Sequence, residues 1–252
     1  MKVVINSDDF GFSRCINKGI IEAFNEGLIS TTTIMINMPC AENAINLWKE
    51  NNKLQNKELG LGLHFNITKG PSLLGLKSLV DENNNFIKPN NFQTHKYLKN
   101  DVYEELKAQI EKLLSYGVII DHADCHHAIH ANETVREVTT LLCKEYNLPL
   151  RCEHPLLREI YDKKGIKRTE NFSMLFSRKN ATKEIFKKVI DENINQGINS
   201  LEIMTHLGYL DEETKKETTY ITREEELNTL RELKKEGIYN KFKLVRYKEL
   251  FS

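Results

Sequence analysis

Four of the chain's eight histidines lie within nine residues, at positions 122, 126, 127 and 130. Along an extended chain, a period of two places His122, Asp124 and His126 on one face and His127 on the other. Two imidazoles with one carboxylate are typical ligands of a divalent metal and leave a coordination position open for water or substrate. A polar surface loop is the alternative, but so many histidines in a chain otherwise poor in them favour a metal site. At least two of the four are expected to lie beside the ligands rather than among them.

Further chemical groups fall at the ends of predicted strands. Asp8 and Asp9 end the first strand, His64 ends the third and His206 follows a late one. The Asp pair is also suited to a turn and a helix N-cap. Adjacent carboxylates repel each other unless a cation neutralises them, so we expect one to bind the metal and the other to act as a base. A single histidine such as His64 does not by itself indicate a metal site. Its position at the end of a strand makes it a candidate ligand, because the other chemical residues also lie at strand ends.

Short apolar runs alternate with helical patterns along the whole chain. Strands are predicted at residues 2–6, 30–37, 59–66, 118–124, 148–152, 200–205 and 243–246. Helices are predicted at residues 16–24, 41–51, 102–114, 133–146, 181–196 and 222–235, the last with a capping box of Thr222 and Glu225. The segments 69–91 and 161–180 lack clear periodicity and are expected to be functional or mobile loops.

This alternation predicts right-handed βαβ units and a parallel sheet in a single α/β domain, residues 1–252. A distorted parallel (β/α) barrel of about seven units is the leading architecture, and an open doubly wound sheet is the second. In a parallel barrel the carboxyl ends of all strands open on one face, where the active sites of such barrels lie. The strand-end residues are therefore expected to converge, although they are far apart in sequence.

The composition excludes several classes of protein. Thirty-six Lys and Arg balance 36 Asp and Glu, so the chain has no excess of positive charge with which to bind nucleic acid or an anionic membrane. No apolar run approaches the roughly 18 residues of a membrane span. The N-terminal residues show no secretory leader, so a cytoplasmic protein is expected. The five cysteines form no Cys-x-x-Cys pair and are expected to be reduced thiols, and the sequence leaves a homodimer open.

Several motifs resemble the YdjC-like carbohydrate deacetylase family, which includes the chitooligosaccharide deacetylases. They are N-S-D-D-F-G at residues 6–11, G-L-H-F-N at 62–66, H-A-D-C-H-H at 122–127 and E-I-M-T-H-L-G-Y at 202–209. Their order and their spread over nearly the whole chain make the resemblance specific. Leu207 stands where the family usually has proline and Ala128 where it often has another His, differences that bear on substrate geometry.

The resemblance implies a fold similar to that of the polysaccharide deacetylases and metal-dependent removal of an acetyl group from an N-acetylated sugar. Carried over position by position, it makes Asp9, His64 and His126 the metal ligands. It makes Asp8 the general base and His206 the general acid for the leaving amine. Amide hydrolysis needs an activated water and a proton for a poor leaving group in any case.

The remaining candidates are expected beside the ligands or against the substrate, and they are His122, Asp124, His127, Arg151, Phe10 and Tyr209. Arg151 is expected to contact substrate, to orient Asp8 or to form a salt bridge at the end of the core. Phe10 and Tyr209 are candidates for stacking on a sugar ring. The Lys- and Glu-rich run 223–236 is interpreted as the solvated face of an amphipathic helix.

These features predict a metal-dependent hydrolase that cleaves the acetamide of a small acetylated saccharide, a monosaccharide or short oligosaccharide. One divalent ion is expected: zinc or another transition ion from the histidine ligands, or magnesium from the family resemblance. A metal-dependent sugar isomerase or aldolase is the second reading, which needs more carboxylate ligands or a Schiff-base lysine at a strand end. A non-catalytic sugar-binding module is the third, and it predicts aromatic residues in place of the Asp and His set.

Overall fold

The fold is built from short strands that alternate with longer helices, and the computed structural model describes residues 1–54 and 58–251. Its strands are β1 (Lys2–Phe10), β2 (Thr31–Ile34), β3 (Gly60–Phe65), β4 (Ala123–Cys125), β5 (Asn171–Ser173), β6 (Ser200–Thr205) and β7 (Lys243–Leu244). Its helices are α1 (Arg14–Asn25), α2 (Ala41–Leu54), α3 (Lys99–Ser115), α4 (Glu133–Glu145), α5 (Pro155–Lys164), α6 (Lys183–Asn195), α7 (Glu212–Glu217) and α8 (Arg223–Lys235).

All the strands pair in parallel within one sheet, which curls into a half-barrel with helices around it. The strands lie in the order β4-β3-β2-β1-β6-β5, and β7 pairs with the first residues of β1. In the central strand β1, Val3, Val4 and Ile5 are completely buried, as expected for a parallel strand covered on both faces. The predicted barrel-like α/β class is therefore confirmed.

The six predicted helices are all present, with ends that differ from the predicted ones by at most three residues. The α4 helix shows why they form: Val135, Val138 and Leu142 lie on one face and are completely buried. Asn132 begins this helix by accepting the backbone N–H of Val135. The capping box predicted for α8 is absent, because the side chain of its N-cap residue, Thr222, accepts no backbone N–H.

The strand predictions are less accurate than the helix predictions. β4 covers Ala123–Cys125 rather than 118–124, and β2 ends at Ile34 rather than at 37. Ile36 is completely buried in the turn after β2, so its apolar character reflects burial and not strand pairing. The predicted strand 148–152 contributes only an isolated bridge between Leu150 and Ala123. The predicted loop 161–180 instead contains the end of α5 and the strand β5.

The strands that carry the predicted chemical residues run side by side. β1 pairs with β2 and β6, and β3 lies between β2 and β4, so the carboxyl ends of these five strands meet at one end of the half-barrel. The five cysteines are free thiols. Across the two described ranges, no helix is both long and apolar enough to cross a membrane.

Candidate metal-binding active site

Both carboxylates of the Asp8-Asp9 pair reach the same site because β1 is irregular at its end. The pairing of β1 with β2 shifts register between Ser7 and Phe10, and Asp9 has a φ of 69°. In a regular strand adjacent side chains point to opposite faces, whereas this irregularity turns both carboxylates into the end of the half-barrel. A left-handed backbone is strained for a residue with a Cβ, and such strain is typical of functional sites.

Asp9, His64 and His126 bring three potential ligand atoms together. Asp9 Oδ1 lies 3.4 Å from His64 Nε2 and 3.2 Å from His126 Nδ1, and the two ring nitrogens are 3.2 Å apart. All three side chains are buried, and Asp9 Oδ1 has no hydrogen-bond partner. The three residues form a group that could hold a metal ion. One carboxylate and two imidazoles suit a transition ion with an open coordination position.

The ring of His64 is held in place by Asp124. His64 Nδ1 lies 2.6 Å from Asp124 Oδ1, which directs Nε2 toward Asp9, and Thr33 Oγ1 donates to the other Asp124 oxygen at 2.9 Å. Burial lowers the pKa of His64, but the charge and hydrogen bond of Asp124, with the nearby carboxylate of Asp9, raise it to about 10. The carboxylates that hold a proton here attract a cation for the same reason.

Arg151 lies at the centre of a buried ion-pair network. Its Nη1 and Nη2 donate to the two oxygens of Asp8 at 2.8 and 2.7 Å. Nη2 also lies 2.8 Å from Asp124, and Nε donates to Glu202 at 2.7 Å. Burial lowers the pKa of this guanidinium, but the three carboxylates raise it well above its usual value. These are the contacts of a residue that orients Asp8. They also make the alternative group of Asp8, His64 and Asp124 a poorer metal site, since Arg151 already neutralises two of its members.

The interpretation of residues 223–236 as a solvated face is wrong for the first turn of α8. Arg223 and Glu226 are completely buried there. Arg223 Nη2 donates to Asp9 Oδ2, whereas its Nε and Nη1 have no hydrogen-bond partner in the described structure. Burial raises the pKa of Asp9, but the charge of Arg223 and the nearby imidazoles of His126 and His64 hold it well below its usual value. No local pattern marks Arg223, because its partner precedes it by 214 residues.

His206 follows β6 and lies beside Asp8, with His206 Nε2 4.0 Å from Asp8 Oδ2. Its backbone N–H donates to Glu226 Oε2 at 2.7 Å, and its ring stacks on Tyr220. Burial lowers the pKa of His206 to about 4, although the charges of Asp8 and Asp9 oppose the shift. The ring is therefore neutral at neutral pH, and it must take up a proton before it acts as an imidazolium acid.

An inner cavity reaches the cluster, and an outer groove adjoins that cavity. The inner one has a volume of about 160 Å³, and the residues that line it include Asp9, His126, His127, Lys88 and Tyr220. The outer groove has a volume of about 710 Å³ and shares Phe12, Thr68, Lys69 and Glu217 with the inner cavity. Lys69 and Glu217 form an ion pair at this junction. His127 Nδ1 lies 3.0 Å from Thr68 Oγ1, so His127 belongs to the wall of the inner cavity and not to the ligand group.

Three predicted site residues lie away from the cluster. The ring of His122 stacks on Tyr247 with 4.2 Å between centroids, and neither of its nitrogens has a hydrogen-bond partner. Phe10 is completely buried in the core and therefore cannot stack on a sugar. Tyr209 donates its hydroxyl to a carboxylate of α1 and lines neither cavity. Phe12 lines both cavities and is better placed for such stacking.

Tyr247 supports the centre from the C-terminal part of the chain. Its hydroxyl donates to Glu202, whose other oxygen accepts from Arg151. We expect Tyr247→Phe to lower the free energy of unfolding by about 1–3 kcal/mol, because a buried charged acceptor loses its partner. Chemical denaturation of both proteins measures the difference. Tyr239→Phe is the control and should lose less, since that hydroxyl donates to the neutral carbonyl of Leu28. Equal losses would contradict the assigned role of the charge on Glu202.

The fold and the cluster define a parallel α/β half-barrel with a histidine and carboxylate centre at the carboxyl ends of its strands. The chain belongs to the YdjC-like protein family, whose model matches residues 2–238. It is 39% identical to the carbohydrate deacetylase of Clostridium beijerinckii over 233 residues, 91% of each chain. It is 33% identical to the carbohydrate deacetylase of Brevibacillus brevis over 99% of this chain and 100% of the relative.

Solved structures agree with this placement. A protein of Enterococcus faecalis described as a cellobiose-phosphate cleavage protein superposes with a TM-score of 0.88 at 26% identity, over 99% of this chain and 98% of its own. A family 4 acetyl xylan esterase from Clostridium thermocellum, solved with a cobalt ion, has a TM-score of 0.51 at 12% identity and covers 100% of this chain and 90% of its own. The latter shows the shared fold alone. The predicted family is confirmed, whereas the role of each site residue stays a prediction.

Proposed function

We propose that this chain is a metal-dependent carbohydrate deacetylase that hydrolyses the N-acetyl group of an acetylated amino sugar. The observation that carries the proposal is the buried group of Asp9, His64 and His126 at the inner cavity, in a chain whose relatives are named carbohydrate deacetylases. We assign these three residues as ligands, Asp8 as the general base and His206 as the residue that protonates the leaving amine.

The charges around the cluster fit a divalent ion. Four buried carboxylates face two buried guanidiniums, and the groups are Asp8, Asp9, Asp124, Glu202, Arg151 and Arg223. These six groups carry a formal charge of −2, and His64, whose pKa is raised to about 10, would give up its proton on binding an ion. Burial raises the pKa of Glu153 and of Glu226 to about 8, which favours the neutral form of both. The unpartnered Asp9 Oδ1 and the fixed Nε2 of His64 supply lone pairs for the ion. Two nitrogen donors favour zinc or another transition ion over magnesium.

A bound ion would polarise the acetyl carbonyl and lower the pKa of a water molecule. Asp8 accepts a proton from the attacking water, and Arg151 holds both Asp8 oxygens so that the carboxylate keeps one orientation. His206 Nε2 lies 4.0 Å from Asp8 Oδ2, so the two atoms must approach by about 1 Å to form a hydrogen bond before the neutral imidazole takes up that proton and passes it to the amine. The water oxygen bonds to the acetyl carbon and the C–N bond breaks. The products are acetate and an amino sugar.

The cavities suit a saccharide of one or a few units. The inner cavity of about 160 Å³ has room for an acetamido group beside the ligands, and the adjoining groove of about 710 Å³ has room for sugar rings. Phe12 and Phe86 line the groove and offer apolar ring surfaces to a pyranose. Arg14 and Asp211 line it as well and can hydrogen bond with sugar hydroxyls. The groove therefore favours a short oligosaccharide as the substrate.

Acetate release from a panel of saccharides tests the proposal. The zinc-loaded protein should release acetate from N-acetylated mono- and oligosaccharides, and not from the same sugars carrying only O-acetyl groups. Treatment with a chelator should abolish the activity, and titration with Zn²⁺, Co²⁺ or Mg²⁺ should restore it and identify the effective ion. Absence of acetate release from every N-acetylated sugar, with metal bound, would refute the proposed reaction. Full activity after complete removal of metal would refute the metal dependence.

A further inference from the structure

Tyr220 lies between α7 and α8 and forms part of the wall of the inner cavity. Its ring stacks on the imidazole of His206, with 3.5 Å between centroids and 11° between the ring planes. Close and nearly parallel contact covers one whole face of the imidazole. Tyr220 therefore restricts rotation of the His206 imidazole about the bond that joins the ring to Cβ.

The other side of Tyr220 is covered by a cation. The guanidinium carbon of Arg178 lies 4.4 Å from the centroid of the Tyr220 ring, so the tyrosine is held between Arg178 and His206. Arg178 has a φ of 56°, a left-handed conformation that is strained for a residue with a Cβ. Strain of this kind persists where the surrounding structure requires one placement of a side chain.

Glu226 joins the two outer layers of this stack. Its Oε2 accepts the backbone N–H of His206 at 2.7 Å, and its Oε1 accepts the backbone N–H of Arg178 at 3.0 Å. One buried carboxyl thus fixes the backbone on both sides of Tyr220. These three residues come from separate parts of the chain: His206 from the loop after β6, Arg178 from the loop before α6 and Glu226 from the first turns of α8.

We propose that Tyr220 is a positioning residue that acts through His206, by holding the imidazole edge-on to Asp8 so that Nε2 can exchange a proton. The proposal rests on the proposed function, since it gives His206 the task of protonating the leaving amine. The stack leaves the Nε2 edge of His206 free, at 4.0 Å from Asp8 Oδ2. A displacement of about 1 Å in a reacting group can reduce a rate by up to roughly 100-fold.

Two substitutions of Tyr220 separate stacking from other roles. Tyr220→Phe keeps the flat ring and should keep kcat within about 2-fold of the wild type, because the stack needs no hydroxyl. Tyr220→Leu keeps an apolar side chain but loses the flat face, and should lower kcat for acetate release by roughly 10- to 100-fold with little change in KM. Thermal unfolding of both variants shows that the protein still folds. A Leu variant with the kcat of the wild type would overturn the proposal.

A double-mutant cycle tests whether Tyr220 acts through His206. In a His206→Ala background the Tyr220→Leu change should cause no further loss of kcat, because the group that it positions is already gone. A merely structural or substrate-holding role predicts the same loss in both backgrounds. Additive losses would therefore overturn the proposal.

Nuclear magnetic resonance gives a readout that does not depend on activity. The ring protons of His206, assigned by their absence in His206→Ala, should be shifted upfield by the ring current of Tyr220 in the wild type and in Tyr220→Phe. They should return toward ordinary values in Tyr220→Leu. Unshifted signals in the wild type would overturn the stack itself. If the stack is present but the wild type releases no acetate, the proposed function fails and with it this role of Tyr220 in catalysis.

Discussion

Replacing His64 or His126 with alanine is expected to remove divalent-metal binding and acetate release together. Each ring contributes one of three ligand atoms that lie within 3.4 Å of one another, and both rings are buried. A centre with three protein ligands rarely survives the loss of one, since water replaces an imidazole only weakly. Loss of a residue that hydrogen-bonds to a metal ligand typically lowers metal affinity by roughly 10- to 100-fold. Loss of a ligand itself should lower the metal affinity by more than that.

Elemental analysis and calorimetric titration with Zn²⁺ measure this effect, alongside acetate release. Asp124→Asn gives a graded comparison: it keeps all three ligands but weakens the contact that directs His64, so a loss of about 10- to 100-fold is expected. His95→Ala is the matched control, because His95 is exposed and removing it should change neither quantity. Stoichiometric metal with retained turnover in His64→Ala or His126→Ala would show that the ligands lie elsewhere.

Asp8→Asn should keep the metal and lose most of kcat. An amide has the shape of the carboxylate, but it can accept from only one of the two Arg151 nitrogens that now donate to Asp8, so some loss of stability should accompany the change. It cannot take a proton from water, and removal of a general base costs on the order of 10²–10⁴ in rate. The measurement is kcat for acetate release with metal content determined on the same sample. Asp191→Asn, the same change at an exposed ion pair on α6, should leave both unchanged.

Asp9→Asn, unlike Asp8→Asn, should lose metal affinity, and its activity should fall because the metal is lost. Asp9 Oδ1 faces both imidazoles, and a neutral amide is a poorer ligand than a carboxylate. Arg223 would then be a buried cation without its acidic partner, so some loss of stability should accompany the loss of metal. If calorimetry shows metal loss in Asp8→Asn and retention in Asp9→Asn, the two roles must be exchanged.

The class of fold and most of the helices follow from the sequence, because local periodicity reports which residues face a core. The helix at 133–146 was predictable from its apolar spacing, and Val135, Val138 and Leu142 are indeed buried together. The sequence also predicted which residue types supply the candidate ligands. Carboxyl ends of parallel strands meet at one edge, so Asp9 and His64 had to come close once the strands were known to be parallel.

Tertiary structure alone decided which of these residues meet. A regular alternation places His122 on the same face as His126, but β4 covers only Ala123–Cys125. Both histidines therefore lie outside the strand, and the ring of His122 stacks on Tyr247 instead. The irregular end of β1 likewise brings the carboxylates of Asp8 and Asp9 into one site, whereas a period of two places adjacent side chains on opposite faces.

Two charged residues near the ligands, Arg223 and Glu226, could not be found in the sequence, whereas Asp8, Asp124 and Arg151 could. Arg223 and Glu226 have the sequence pattern of a solvated helix, yet both are completely buried. A charge can be buried only beside a partner, and the partner of Arg223 is Asp9, 214 residues earlier in the chain. Local sequence determined the residue types and the elements of this protein, and long-range packing decided their charge pairing, because that pairing depends on distances that no sequence window contains.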